Sequence, residues 1–360
     1  MMRMKNRFFL LAAALLWNSC QSSKPADSIT RFSPDHDAFV YTGRFLDLEE
    51  EKLFAWSASR ISFRFKGDSI CLHMDPDLMQ DTDQADLFDV ILDGKRSVLS
   101  VYPQTPIWLK DLGASEHSLI LLKRTEASVS AVSWKGVSGG TDLKLILPAA
   151  VPRISMEVIG NSITCGYGNE GPSESCTFSP ETENALRTYA SMAAEALGLE
   201  YHAVCYSGKG VWRNYGKDTT ELMPELWHRY LPQRAELYPH NQKRDIVLVN
   251  LGTNDFAHEI PPRGPFVSKY VHLIRAVREV HPEAKIVMLT GSMMQGNSLQ
   301  TLTAYLQEVK MTLEGEGIEE LYRFDLSPQG ELGYGCSWHP NVAQHTKNAQ
   351  ELAVFLSNIL

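Results

Sequence analysis

Two different spacings of apolar residues divide this chain of 360 residues. From about residue 38 to 147 apolar and polar positions alternate. Ile61, Phe63 and Phe65 are separated by polar residues, Lys66-Gly67-Asp68 reverses the chain, and Ile70, Leu72 and Met74 resume the pattern. Phe88, Val90 and Leu92 run into Asp93-Gly94, a dipeptide suited to the positive φ angles of a tight hairpin. Shorter runs follow at 118–123 and 128–135. A period of two sends successive side chains to opposite faces, so these segments are expected to be half-buried strands. Many short strands with Gly and Asp turns, and no helical period, predict a jelly-roll-like β-sandwich.

After Pro148 and Pro152 the spacing changes. Continuous apolar runs at 154–159, 201–206, 245–251, 285–290 and 321–326 suit strands buried on both faces. Between them lie stretches with helical spacing. Asn184 to Leu197 puts Leu186, Tyr189, Ala193 and Leu197 on one face and meets Gly198 as a stop. Val267–Val280, Leu299–Leu313 and Val342–Ile359 read the same way. Strands separated by helices predict an α/β, doubly wound parallel sheet of the flavodoxin-like kind. The expected boundaries are a sandwich over 37–148 and an α/β domain over 149–360.

The first residues carry Arg3, Lys5 and Arg7, then an apolar run from Phe8 to Leu16, then Trp17-Asn18-Ser19-Cys20. A basic start, a short apolar stretch and a small residue are the parts of a secretory signal, here 1–19, too short to span a bilayer. Cys20 directly after the small residue is expected to be lipidated, in preference to an incidental cysteine behind an ordinary signal peptide. The polar, Pro-containing stretch 20–36 then serves as a tether. This predicts an exported bacterial lipoprotein at the outer membrane, attached through its lipid anchor only. The chain has a net charge of −9 before that basic leader is removed. Such an acidic balance argues against nucleic acid as a partner. For the five later cysteines two readings stay open: a Cys165–Cys176 disulfide across a loop, or buried free thiols.

Four short blocks after Pro152 carry candidate chemistry: Gly160-Asn161-Ser162-Ile163-Thr164, Ser207-Gly208-Lys209-Gly210, Gly252-Thr253-Asn254-Asp255 and Trp338-His339-Pro340-Asn341. The first three follow strand-like runs, the fourth precedes a helix-like one, and ligands of open α/β sheets bind at the carboxyl ends of strands. Serine is a poor nucleophile until a base takes its proton, so Ser162 is paired with His339. Acyl transfer also needs donors for the developing oxyanion. Ser162 N–H, Gly208 N–H and the Asn254 amide are the candidates, with Gly210 as the alternative to Gly208. Cys336-Ser337-Trp338-His339 has no acid just ahead of the histidine. Orientation is therefore assigned to a backbone carbonyl or to the Ser337 hydroxyl, with Asp255 and Asp325 as carboxylates from elsewhere. Tyr167, Trp212 and Trp338 are candidate sugar-stacking aromatics.

In their order and content these blocks resemble the SGNH (GDSL-type) hydrolase superfamily. Gly160-Asn161-Ser162-Ile163-Thr164-Cys165-Gly166-Tyr167-Gly168, with a β-rich segment ahead of it, is similar to carbohydrate esterase family 2, the acetyl-xylan-esterase-like deacetylases. The resemblance implies a serine esterase that removes acetyl groups from a plant polysaccharide or its oligosaccharides without a cofactor or metal. The spacing of residues alone supports only ester hydrolysis. Two alternatives remain: a related esterase for another ester, such as a lipid or peptidoglycan O-acetyl group, and a non-catalytic carbohydrate-binding protein on the same scaffold.

Overall fold

A computed structural model describes residues 29–78, 85–149 and 153–360. The leader and Cys20 lie outside the described residues.

The N-terminal part is two antiparallel sheets packed face to face. One orders the strands Leu46–Asp47, Lys52–Phe54, Ser130–Gly139, Ile70–Leu78 and Ile107–Leu109. The other orders Lys144–Ile146, Arg60–Lys66, Glu116–Lys123, Asp86–Leu92 and Lys95–Val101. The alternation in the sequence decides which side chains face inward: Ile61, Phe63 and Phe65 are buried, as are Ile70, Leu72 and Met74 opposite them. Asp93-Gly94 closes the hairpin between Asp86–Leu92 and Lys95–Val101 with φ of 51° and 78°. The end of the expected tether is already structured, because Thr30–Phe32 pairs with Val137–Gly139.

The C-terminal part is a five-stranded parallel sheet in the order Glu200–Cys205, Ser155–Gly160, Ile246–Asn250, Lys285–Thr290, Leu321–Asp325. Its faces divide by residue parity. Met156, Val158, Ile246, Leu248, Val287 and Leu289 meet the helices Tyr189–Leu197 and Val342–Ile359. Ile159, Val247, Val249, Ile286 and Met288 meet Arg263–Val280 and Gly296–Gly315. No helix among the described residues is long and apolar enough to cross a membrane.

The expected helix over 184–197 is broken. Ala185–Arg187 is a 3₁₀ turn, Thr188 is extended, and the α-helix begins at Tyr189. Asn184 caps the short turn through Leu186 N–H at 3.0 Å, and the Thr188 hydroxyl donates back to Ala185 O at 2.9 Å. Such side-chain bonds compete with helix continuation.

The two domains share buried polar contacts. Arg44 of the sandwich reaches the Trp227 and Arg229 carbonyls and lies 3.3 Å from Glu157 on the first parallel strand. Burial alone would raise the Glu157 carboxyl. Arg44 and Arg244, with the Trp227 indole N–H at 2.6 Å, hold it instead near about 2. Trp56 inserts its ring into the core of the α/β domain and donates to Tyr230 O at 2.8 Å.

Candidate active site

The first parallel strand ends at Gly160, where any Cβ would collide with the Thr164 side chain. Glycine therefore lets the chain turn at once into the short helix Ser162–Cys165. Asn161 caps that helix by accepting from Ile163 N–H at 3.1 Å. Ser162 is its first residue, and its backbone N–H has no hydrogen-bond partner among the described residues. A disulfide from Cys165 to Cys205 ties the helix end to the end of the neighbouring strand.

His339 arrives from the far end of the domain, and its Nε2 stands 2.9 Å from Ser162 Oγ. What orients it is the carbonyl of Ser337, 3.0 Å from Nδ1. A carbonyl can only accept, so Nδ1 carries the proton and Nε2 is left free to receive one. The Ser337 hydroxyl is not the orienting group; it points to Cys176 O at 3.5 Å. The carbonyl is aimed by unusual backbone, since Ser337 (φ 52°) and Trp338 (φ 62°) are both left-handed without being glycine. Such conformations cost about 1–3 kcal/mol each and persist only where the surroundings over-determine them. Here Ser337 N–H donates to Cys176 O (3.0 Å), Cys336 N–H to Gly168 O (2.9 Å) and Gln329 Nε2 to Trp338 O (2.7 Å). A disulfide, Cys176–Cys336, pins the same segment. Burial pushes the imidazole down to about 4, against smaller upward effects from the Ser337 and Cys336 backbone.

Asn254 and Gly208 face the same cleft, a cavity of about 880 Å³ that Ser162, His339, Tyr167, Ser337 and Trp338 also line. One amide hydrogen of Asn254 is held by Lys209 O at 2.8 Å, which directs the side chain and leaves its second N–H unengaged. Gly208 adopts φ of 79°, and its N–H has no partner among the described residues. The loops that carry these donors are joined by Asp255. Its buried carboxylate accepts from Val211, Trp212 and Arg213 N–H at 3.1, 2.7 and 3.0 Å. Burial raises that carboxyl to about 6 despite those three donors.

The candidates do not all converge. Trp212 lines a separate groove with Leu222, His228 and Leu273, and its backbone N–H is held by Asp255 at 2.7 Å. Asp255 and Asp325 do not reach His339; Asp325 is bound to Thr290 and Arg323. Tyr167 packs against the imidazole with a centroid distance of 4.4 Å and against Phe178 at 4.3 Å, so it braces the base. Trp338 is 58% exposed beside Tyr334 and keeps a free face toward the cleft. The cysteine expectations are corrected. Cys165 and Cys176, close in sequence, pair with Cys205 and Cys336 instead, and among the described cysteines only Cys71 is a buried free thiol. Gln329 and these two disulfide pairings belong to the site without a motif that marks them. Cys336 beside Ser337 was the one available signal.

Both parts of the chain are similar to known proteins. Residues 158–346 match the GDSL-like Lipase/Acylhydrolase family, and residues 41–148 match the carbohydrate esterase 2 N-terminal domain. Over 91% of its length the chain is 32% identical to the cellulase/esterase CelE of Acetivibrio thermocellus, of which it spans 40%. It is 28% identical to an acetylxylan esterase / glucomannan deacetylase of Cellvibrio japonicus, with 78% of the chain and 79% of that protein covered. A family two carbohydrate esterase from Clostridium thermocellum, solved in complex with cellohexaose, superposes with a TM-score of 0.81 at 31% identity. The match covers 89% of this chain and 98% of that one.

Proposed function

The chain belongs to the GDSL-like lipase/acylhydrolase family, with a carbohydrate esterase 2 domain ahead of it, and on that premise we propose that it removes O-acetyl groups from a plant polysaccharide or its oligosaccharides. The observation that carries the proposal is the 2.9 Å approach of His339 Nε2 to Ser162 Oγ in a cleft shared with Asn254 and Gly208. His339 takes the hydroxyl proton as Ser162 Oγ bonds to the acetyl carbonyl carbon. The carbonyl oxygen becomes an oxyanion held by Ser162 N–H, Gly208 N–H and Asn254 Nδ2. The sugar oxygen leaves with the proton from His339, and an acetyl-serine remains. Water, deprotonated by His339, then releases acetate and restores the serine. Trp338 is the aromatic face offered to the sugar. Lipidation of Cys20 at the outer membrane would hold the enzyme near its substrate. The names of the relatives support the acetyl and plant-polysaccharide assignment.

The direct test is acetate release from acetylated xylan, glucomannan and monosaccharides, alongside p-nitrophenyl esters of increasing chain length. Acetate from the polysaccharides and a preference for the acetyl ester are expected. Preference for long acyl chains would point to a lipid ester instead, and no turnover on any acetylated substrate would leave a binding protein.

Two further outcomes follow from the histidine. A general base works only when neutral, and His339 is held neutral down to about 4. A plot of log kcat/KM against pH should therefore stay level through pH 6 and bend down on the acid side near 4. A bend near 6.5, the ordinary histidine value, would contradict the burial argument. Opening Cys176–Cys336, by reductant or by Cys176→Ser, frees the strained Ser337–Trp338 turn. Turnover of the acetyl ester should fall by about 10²-fold, the scale of a 1 Å misplacement. Circular dichroism would check that the fold is kept, and unchanged kcat in a folded Cys176→Ser protein would remove the bridge from the mechanism.

A further inference from the structure

We propose that Glu126, supplied by the sandwich, is a positioning residue for the oxyanion site of the α/β domain. The inference rests on the roles assigned above to Ser162 and Gly208.

Glu126 lies in the turn that follows the strand Glu116–Lys123, and only 1% of it is exposed. Its Oε2 accepts the backbone N–H of Ser207 at 2.7 Å, one residue before Gly208. With the Tyr206–Ser207 peptide held there, only the torsions of Ser207 separate it from the peptide carrying the Gly208 N–H. The turn itself is fixed from both sides. Lys123, fully buried, donates to Thr125 O at 3.2 Å and Glu126 O at 3.3 Å and pairs with Asp86 at 3.2 Å. From the α/β domain, Ala185 N–H donates to Arg124 O at 2.9 Å, and Glu183 accepts Glu126 N–H at 2.9 Å. Burying a carboxyl is costly unless it is partnered, and the partner chosen here belongs to the loop with the proposed oxyanion donor. Burial drives the Glu126 carboxyl up, and burial together with Glu126 drives Glu183 up further.

The test is a kcat against KM comparison for Glu126→Ala, Glu126→Asp and Glu126→Gln on p-nitrophenyl acetate. Alanine removes the acceptor and aspartate withdraws it by one methylene, so both should lose about 10-fold in kcat with KM nearly unchanged. Glutamine keeps an acceptor oxygen and should recover most of the rate. Wild-type kcat in the alanine or aspartate protein, or an equal loss in all three, overturns the proposal. If the substitutions prevent folding, amide hydrogen exchange in the wild-type chain decides. Ser207 should be protected like a strand amide, and exchange at the rate of a free loop overturns the contact. A wild-type protein that releases no acetate would sink the esterase assignment instead, so the two failures are distinguishable.

Discussion

Ser162→Ala is expected to lower kcat for acetyl-ester hydrolysis by about 10⁴-fold or more, and His339→Ala by a similar factor, because neither group works without the other. The double variant should be little worse than either single one. That non-additivity distinguishes a nucleophile–base pair at 2.9 Å from two independent contributors. Binding is made elsewhere in the cleft, so KM should move little. Ser162 is the first residue of a short helix capped by Asn161, and alanine suits that backbone. Melting temperature should therefore stay near that of the wild type. Acetate release followed by a coupled assay, with a burst of acetyl-enzyme sought in the first turnover, reads both numbers. Losses that multiply in the double variant would show that serine and histidine do not act as a unit.

Asn254→Ala should cost about 10²–10³-fold in kcat, the loss found when one preorganised oxyanion donor is removed. The side chain is held by Lys209 O, and the loop beneath it by Asp255 through three backbone N–H groups. Truncation should therefore remove a donor without moving the Ser162 hydroxyl. Asn254→Asp should do at least as much harm, since a carboxylate placed against the growing negative charge repels it. Steady-state kinetics separate the possibilities. A fall in kcat at constant KM fits a donor used in the transition state, whereas a rise in KM at constant kcat would make Asn254 a substrate contact.

Much of this architecture could be read from spacing. Ile61-Phe63-Phe65 and the apolar runs of the parallel strands follow the side-chain period of their elements, and Ser162, Gly208 and Asn254 follow strand ends, where loops carry the chemistry. Strands of two or three residues, such as Leu46–Asp47 and Ile107–Leu109, have too few positions for a period to register. A backbone carbonyl is among the groups expected to orient His339, but that it is the Ser337 carbonyl is not legible. Its aim depends on two left-handed residues of types that rarely adopt that region, and side-chain identity carries no trace of it. Cys165 and Cys176 looked like partners because they are near in sequence, but the sheet brings Cys205 beside Cys165 and the histidine loop beside Cys176. No motif marks Glu126 in the sequence, because its partners Ser207 and Glu183 lie far along the chain in the other domain.

Deacetylation acidifies its own surroundings, because every turnover liberates acetic acid. A histidine leaning on a carboxylate gains proton affinity from that charge and would be titrated progressively as hydrolysis proceeds. Burial holds His339 neutral against the smaller upward pull of the Ser337 carbonyl, and with an uncharged acceptor in place of a carboxylate it resists this self-poisoning. The catalyst should go on stripping a heavily esterified polymer in an unbuffered medium after an ordinary histidine base would have fallen silent.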